Sequence, residues 1–252
     1  MKRKILVSLA ACSAVVLAFS SIGATQAALT YLSDDYLAQI DLKSIGVTLT
    51  ENGEDISWRD YRHRDDSWSE ATGELLGKLL ETAGDDKIVL DKHYPEELAV
   101  KNSGTIDEYV RVTVSRYWID EKSGEKRADL DPSKIKISFT NDGWVEDKSA
   151  ETAERNVFYY TSVLPKGETS SNFADEISIS GDIAKIVGKT SKTDANGFTT
   201  ITTTYEYEGA RFVLEATVDA VDAVQTHNAK AAIKSAWGID VNISDSGSLS
   251  LN

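Results

Sequence analysis

The chain has 252 residues, with 27 Lys and Arg against 41 Asp and Glu, for a formal net charge of −14. A surface this acidic repels nucleic acid and anionic lipid, so neither is an expected partner. The single cysteine, Cys12, permits no intrachain disulfide and no multi-cysteine metal site, and a chain of this length can bury a core without either.

Residues 1–27 have the layout of a secretory signal peptide: basic Lys2, Arg3 and Lys4, an uncharged run from Ile5 to Ala24, and small residues before a cleavage site between Ala27 and Ala28. The alternative is a retained anchor, because an apolar stretch of about 20 residues can span a bilayer. Leu9-Ala10-Ala11-Cys12 spells a lipoprotein acylation box, but the apolar run continues past Cys12 instead of ending at it. Residues 28–252 are then expected to form one cysteine-free domain outside the cytoplasm, with no membrane contact after cleavage.

Residues 28–43 are weakly patterned and can be a short helix or an extended N-terminal arm. Ile45, Val47 and Leu49 alternate with polar residues, which is strand periodicity, and Glu51-Asn52-Gly53 supplies a turn. The charged stretch 54–66 reads as a surface loop. Ser67 and Glu70 form a capping-box pattern, and Leu75, Leu76, Leu79 and Leu80 follow at helical spacing, so 68–82 is expected to be helical with Gly84 as its C-cap.

Strands dominate from residue 88 onward. Ile88 to Leu90, Leu98 to Val100, Val110 to Val114, Ile135 to Phe139, Val157 to Val163 and Ile177 to Ile179 are each strand-like and separated by turn residues. Residues 183–207 read as a hairpin around Asp194-Ala195-Asn196-Gly197, and Phe212 to Val218 alternates again. Ala229, Ile233, Ala236 and Trp237 share a helical face, closed by Gly238, with a short strand at 239–243. Many short strands with regular turns predict a mainly β fold, an antiparallel sandwich with about two accessory helices.

Residues with catalytic chemistry are sparse. His63, His93 and His227 stand alone, and His93-Tyr94-Pro95-Glu96-Glu97 lacks the second histidine of an inverted zinc-protease motif. There is no Gly-x-Ser-x-Gly elbow. No metal, cofactor or catalytic residue is expected. Trp58, Trp68 and Trp144 are candidate stacking surfaces for a carbohydrate. Arginines accompany Trp58 and Trp68, but Asp60, Asp65 and Asp66 neutralise them, unlike a nucleic-acid patch.

Two stretches resemble a known family. Gly23 to Asp34, followed by Ile45-Gly46-Val47-Thr48-Leu49-Thr50-Glu51-Asn52-Gly53, is similar to the start of the TasA/camelysin group, alternate signal-mediated exported proteins of Gram-positive bacteria processed by the SipW signal peptidase. Val100-Lys101-Asn102-Ser103-Gly104 through Tyr109-Val110-Arg111-Val112 resembles a strand–turn–strand of the same group. Ala223 to Ala229 and Ala236 to Ile239 resemble the ending of a subset of it. Where the family has Phe-x-Asp after cleavage, this chain has Leu29-Thr30-Tyr31 and a later Asp34. The resemblance implies a jelly-roll-like sandwich and a non-enzymatic role in a biofilm matrix, fibre or surface appendage. Its implied partners are further copies of itself or other matrix and surface proteins, with the signal peptidase during export. It also implies donation of an N-terminal strand, here within Ala28 to Thr50, to the next subunit. A surface adhesin or carbohydrate-binding module is the alternative, and a secreted metallopeptidase the third.

Overall fold

The computed structural model describes residues 44–60, 69–71, 73–223 and 226–252. The expected signal peptide, its Ala27–Ala28 junction and the 28–43 arm lie outside the described residues.

The fold is a mainly β antiparallel sandwich with two helices. One sheet has six strands in the order β3-β2-β1-β4-β9-β6. These are Ser69–Ala71, Glu54–Asp60, Val47–Glu51, Tyr94–Asn102, Ala174–Ile179 and Ile135–Phe139. The other has four in the order β12-β5-β8-β7, from Ala210–Asp222, Glu108–Asp120, Arg155–Tyr160 and Trp144–Glu146. The chain crosses between layers from β4 to β5, back at β6, and again at β7 and β9.

Alternation builds the core. Val110, Val112 and Val114 of β5 point inward against Val47, Leu49 and Val100 of the facing sheet. A second apolar cluster lies on the outer face of the four-stranded sheet. There α2 (Thr226–Trp237) seats Ala229, Ile233 and Trp237 over Tyr109 and Tyr159. Ala236, expected on that face, is exposed, because the buried stripe follows a four-residue step from 229. The hairpin of β13 (Val241–Ile243) and β14 (Leu249–Leu251) closes this cluster. No helix among the described residues is long and apolar enough to cross a membrane.

Three expectations are corrected. Part of the charged stretch 54–66 is strand β2, because β1 supplies a partner; Glu54, Asp55 and Arg59 stay exposed and Asp60 is buried, while 61–66 lies outside the described residues. The helix expected over 68–82 shrinks to α1 (Leu79–Ala83), preceded by β3. Gly73 packs against β2, where a Cβ would collide with the Ile56 carbonyl, and Leu76 takes a φ of 66°, outside the right-handed helix. Gly84 does cap α1, in the left-handed conformation. Ile88 to Leu90 forms a turn instead of a strand, ending at Asp91 with φ of 60°.

The strand–turn–strand around Asn102 carries the first layer crossing. Asn102 is fully buried. Its Nδ2 donates to the Ile106 carbonyl at 2.8 Å and the Leu164 carbonyl at 2.9 Å, while its Oδ1 accepts from the Gly104 amide at 2.9 Å. Gly104 then lies against Gly46 so closely that a Cβ on it would sit 2.7 Å from the Gly46 nitrogen. Asn102→Ala would remove three buried hydrogen bonds and leave the Ile106 carbonyl unpaired, while the Leu164 carbonyl keeps the Glu108 amide and the Gly104 amide keeps the Gly46 carbonyl. We expect it to destabilise the fold by about 3 kcal/mol, measured by urea unfolding; a loss below about 1 kcal/mol would contradict this role.

Candidate functional site

Sheet edges are where the fold meets other chains, because an edge strand presents unpaired backbone groups. Among the described residues three of the four edges of the sandwich are short. β3 and β7 have 3 described residues each, and β6 has 5 with its register broken between Ser138 and Phe139. The fourth, β12, runs for 13 residues in unbroken register with β5, from Ala210 opposite Asp120 to Asp222 opposite Glu108. Among the described residues no strand pairs with its other side.

A groove follows that open side. Three adjoining hollows of about 200, 240 and 240 Å3 lie between β12 and strands β1 to β3. One wall is Leu214, Ala216, Val218 and Ala220 of β12; the other includes Val47, Leu49 and Ile56. Leu214 is buried, but Ala216, Val218 and Ala220 are only half-buried although they point into the sandwich. The six-stranded sheet therefore extends past β12, and the inner faces there have no strand between them. An extended chain in the groove would gain main-chain hydrogen bonds from β12 and set alternate side chains on apolar walls.

Charge frames the groove at one end. Arg111 of β5 grips Asp219, which lies directly opposite on β12, through its Nε at 3.1 Å and Nη2 at 2.6 Å. The same guanidinium lies 5.5 Å from the centre of the Trp237 ring. This pair ties β12 to β5 and α2, so a strand added to β12 would meet a fixed template.

The segment Ser44 to Gly46 enters at that end, where Ile45 is 40 % exposed and lines the hollow beside Trp237. It is fastened from below. The Gly46 amide donates to Glu108 Oε1 at 2.8 Å, and the Ser44 amide to Thr105 Oγ1 at 2.8 Å. Glu108 is fully buried, and its Oε2 has no hydrogen-bond partner. Burial, aided by the nearby charges of Asp222 and Asp107, pushes its carboxyl from 4.5 up to about 8, so it holds its proton at neutral pH.

Trp58 lies on β2 at the groove, half-buried, with Nε1 donating to Ser69 Oγ at 3.0 Å. Trp144 is in the other sheet and 3 % exposed; it packs on Tyr160 and Phe173 and donates to the Ser171 carbonyl at 2.9 Å. It offers no ring face to a ligand, which corrects its place among the stacking candidates. Trp68 lies outside the described residues, and Trp58 and Trp144 belong to different sheets. His93 is exposed, with Nδ1 3.1 Å from Glu176 Oε2. Among the described residues no three His, Cys, Asp or Glu side chains converge as a metal site would need. No protein family, no curated protein and no solved structure matches this chain.

The groove was missed in the sequence because nothing in a strand states how many neighbours it has. The available signal was indirect: β12 alternates over a long run without proline, glycine or charge on its inner face until Asp222.

The protonated Glu108 gives stability a pH dependence. The unfolded carboxyl ionises near 4.5 and the folded one near 8. Between these values the native state holds a proton that the unfolded state has lost. Its stabilisation is complete below 4.5 and disappears as pH rises through 8. The expected slope is a loss of about 1.4 kcal/mol per pH unit in that window. Glu96, buried and hydrogen-bonded to Glu51, is raised for the same first reason and adds to the slope. Glu108→Gln should flatten the profile in urea unfolding between pH 5 and 8; an unchanged slope would show that Glu108 titrates normally.

Proposed function

We propose that the chain is an exported, non-enzymatic structural protein of the cell surface or extracellular matrix, which assembles by strand addition. The observation that carries this reading is the contrast between β12 and the other sheet edges. A soluble monomer ordinarily shortens, bulges or covers its edges. β12 is long, regular and lies beside an apolar groove, which fits a strand supplied by another copy.

The donor suggested by the sequence lies in residues 28–43. The fastened Ser44–Gly46 segment follows it directly and lines one end of the groove. The signal-peptide layout of 1–27 and the resemblance of Val100 to Val112 to the TasA/camelysin group support the location and the matrix role. Both rest on sequence. With SipW-type processing, donation would begin once cleavage before Ala28 frees the new N-terminus.

Electron microscopy of the purified mature protein, with its N-terminal residue determined, tests the proposal. Fibres or strings of subunits are expected. Val218→Asp sets a charge in the groove, and deletion of residues 28–43 removes the donor. Each should abolish assembly, while far-UV circular dichroism remains that of a folded β protein. Fibres of normal length from both variants would overturn the mechanism.

A further inference from the structure

Outside the sandwich, β10 (Ile186–Thr193) and β11 (Thr199–Tyr205) form a separate two-stranded ribbon. Nearly every residue in it is exposed. It carries most of the large apolar side chains that the described residues leave in solvent: Ile186 at 55 %, Val187 at 56 %, Phe198 at 73 %, Ile201 at 57 % and Tyr205 at 44 %. A lone ribbon of two strands is marginally stable in water. Keeping one extended and apolar makes physical sense when a further chain completes it.

Its two edges are not equivalent. β10 carries Lys189 and Lys192, and its register with β11 breaks between Ile186 and Gly188. Lysines and register breaks deter pairing. β11 reads Thr-Thr-Ile-Thr-Thr-Thr-Tyr, with no charge, proline or glycine. A short uncharged segment of high β propensity is the pattern that pairs with copies of itself. From 186 to 205 the charged residues are Lys189, Lys192 and Asp194. The base of the ribbon carries both signs: Lys185 pairs with Glu206 and Lys134 with Asp182.

We propose that the ribbon is a self-association arm on which β11 of a second copy pairs antiparallel with β11, making a four-stranded sheet. Ile201 and Tyr205, which share one face, meet their counterparts on the same side of the joint sheet. The guarded β10 strands become its outer edges, so pairing stops at two copies. This contact lies apart from the β12 groove and does not depend on it.

Sedimentation equilibrium of the full chain and of its fibre-deficient Val218→Asp variant, over a wide concentration range, tests it. A monomer–dimer equilibrium is expected for the variant. Ile201→Lys/Thr203→Lys, which sets like charges across the joint, should weaken association at least about tenfold. Replacing residues 187–204 by Gly-Gly should abolish it. Neither change should move the thermal midpoint of the sandwich, which checks folding. Val218→Asp, directed at the groove, should leave this dimer intact, so loss of fibres and loss of the dimer are read separately. A wild-type protein that stays monomeric, or a dimer unaffected by both ribbon variants, would overturn the proposal. So would a monomer that binds anionic phosphatidylglycerol vesicles only when Phe198 and the lysines are present, which would assign the ribbon to a lipid surface.

Discussion

A six-stranded sheet laid over a four-stranded one leaves part of its inner face without a counterpart. The mismatch falls beside β12, and most of what distinguishes this molecule follows from it. The walls of the groove are the inner faces of β1, β2 and β12, so they are apolar for the same reason that the core is apolar. Ala216, Val218 and Ala220 alternate as core residues do but remain half-buried. Such a site needs no special residues. It is a sandwich core with a strand's width left open at one side.

What holds the open side rigid is polar. Asn102 satisfies three backbone groups at the crossing between layers, and Gly104 and Gly46 pack there with no room for a side chain. Glu108 adds a buried protonated carboxyl that holds Gly46 in place. Arg111 and Asp219 clamp β12 to β5 on the other face. The segment resembling the TasA/camelysin strand–turn–strand contains Asn102, Gly104, Glu108 and Arg111. Its residues act here as architecture.

Much of this fold was legible in the sequence. Strict alternation marked β1, β5, β6 and β12, and Asn-Gly marked the turn of the ribbon. Glycines in the left-handed conformation ended both helices. Two kinds of element were not legible. β2 and the lost helix at 68–82 are decided by neighbours: β1 gives the charged stretch a pairing partner, and Gly73 packs against β2. The groove and the open edge of β11 depend on the absence of a neighbour, which no local pattern records. Trp144 shows the converse. An aromatic in a turn-rich stretch looks available, but its burial depends on β8 and Phe173, which are distant in the chain.

The central claim is that β12 receives a strand from another molecule. Amide hydrogen exchange, followed along residues 210–222 as the purified protein passes from dilute monomer to assembled material, tests it most directly. The account predicts that alternate amides of β12, those turned away from β5, become strongly protected on assembly, while those of β6 at the opposite edge do not change. Assembly with β12 exchanging as it does in the monomer would contradict the account.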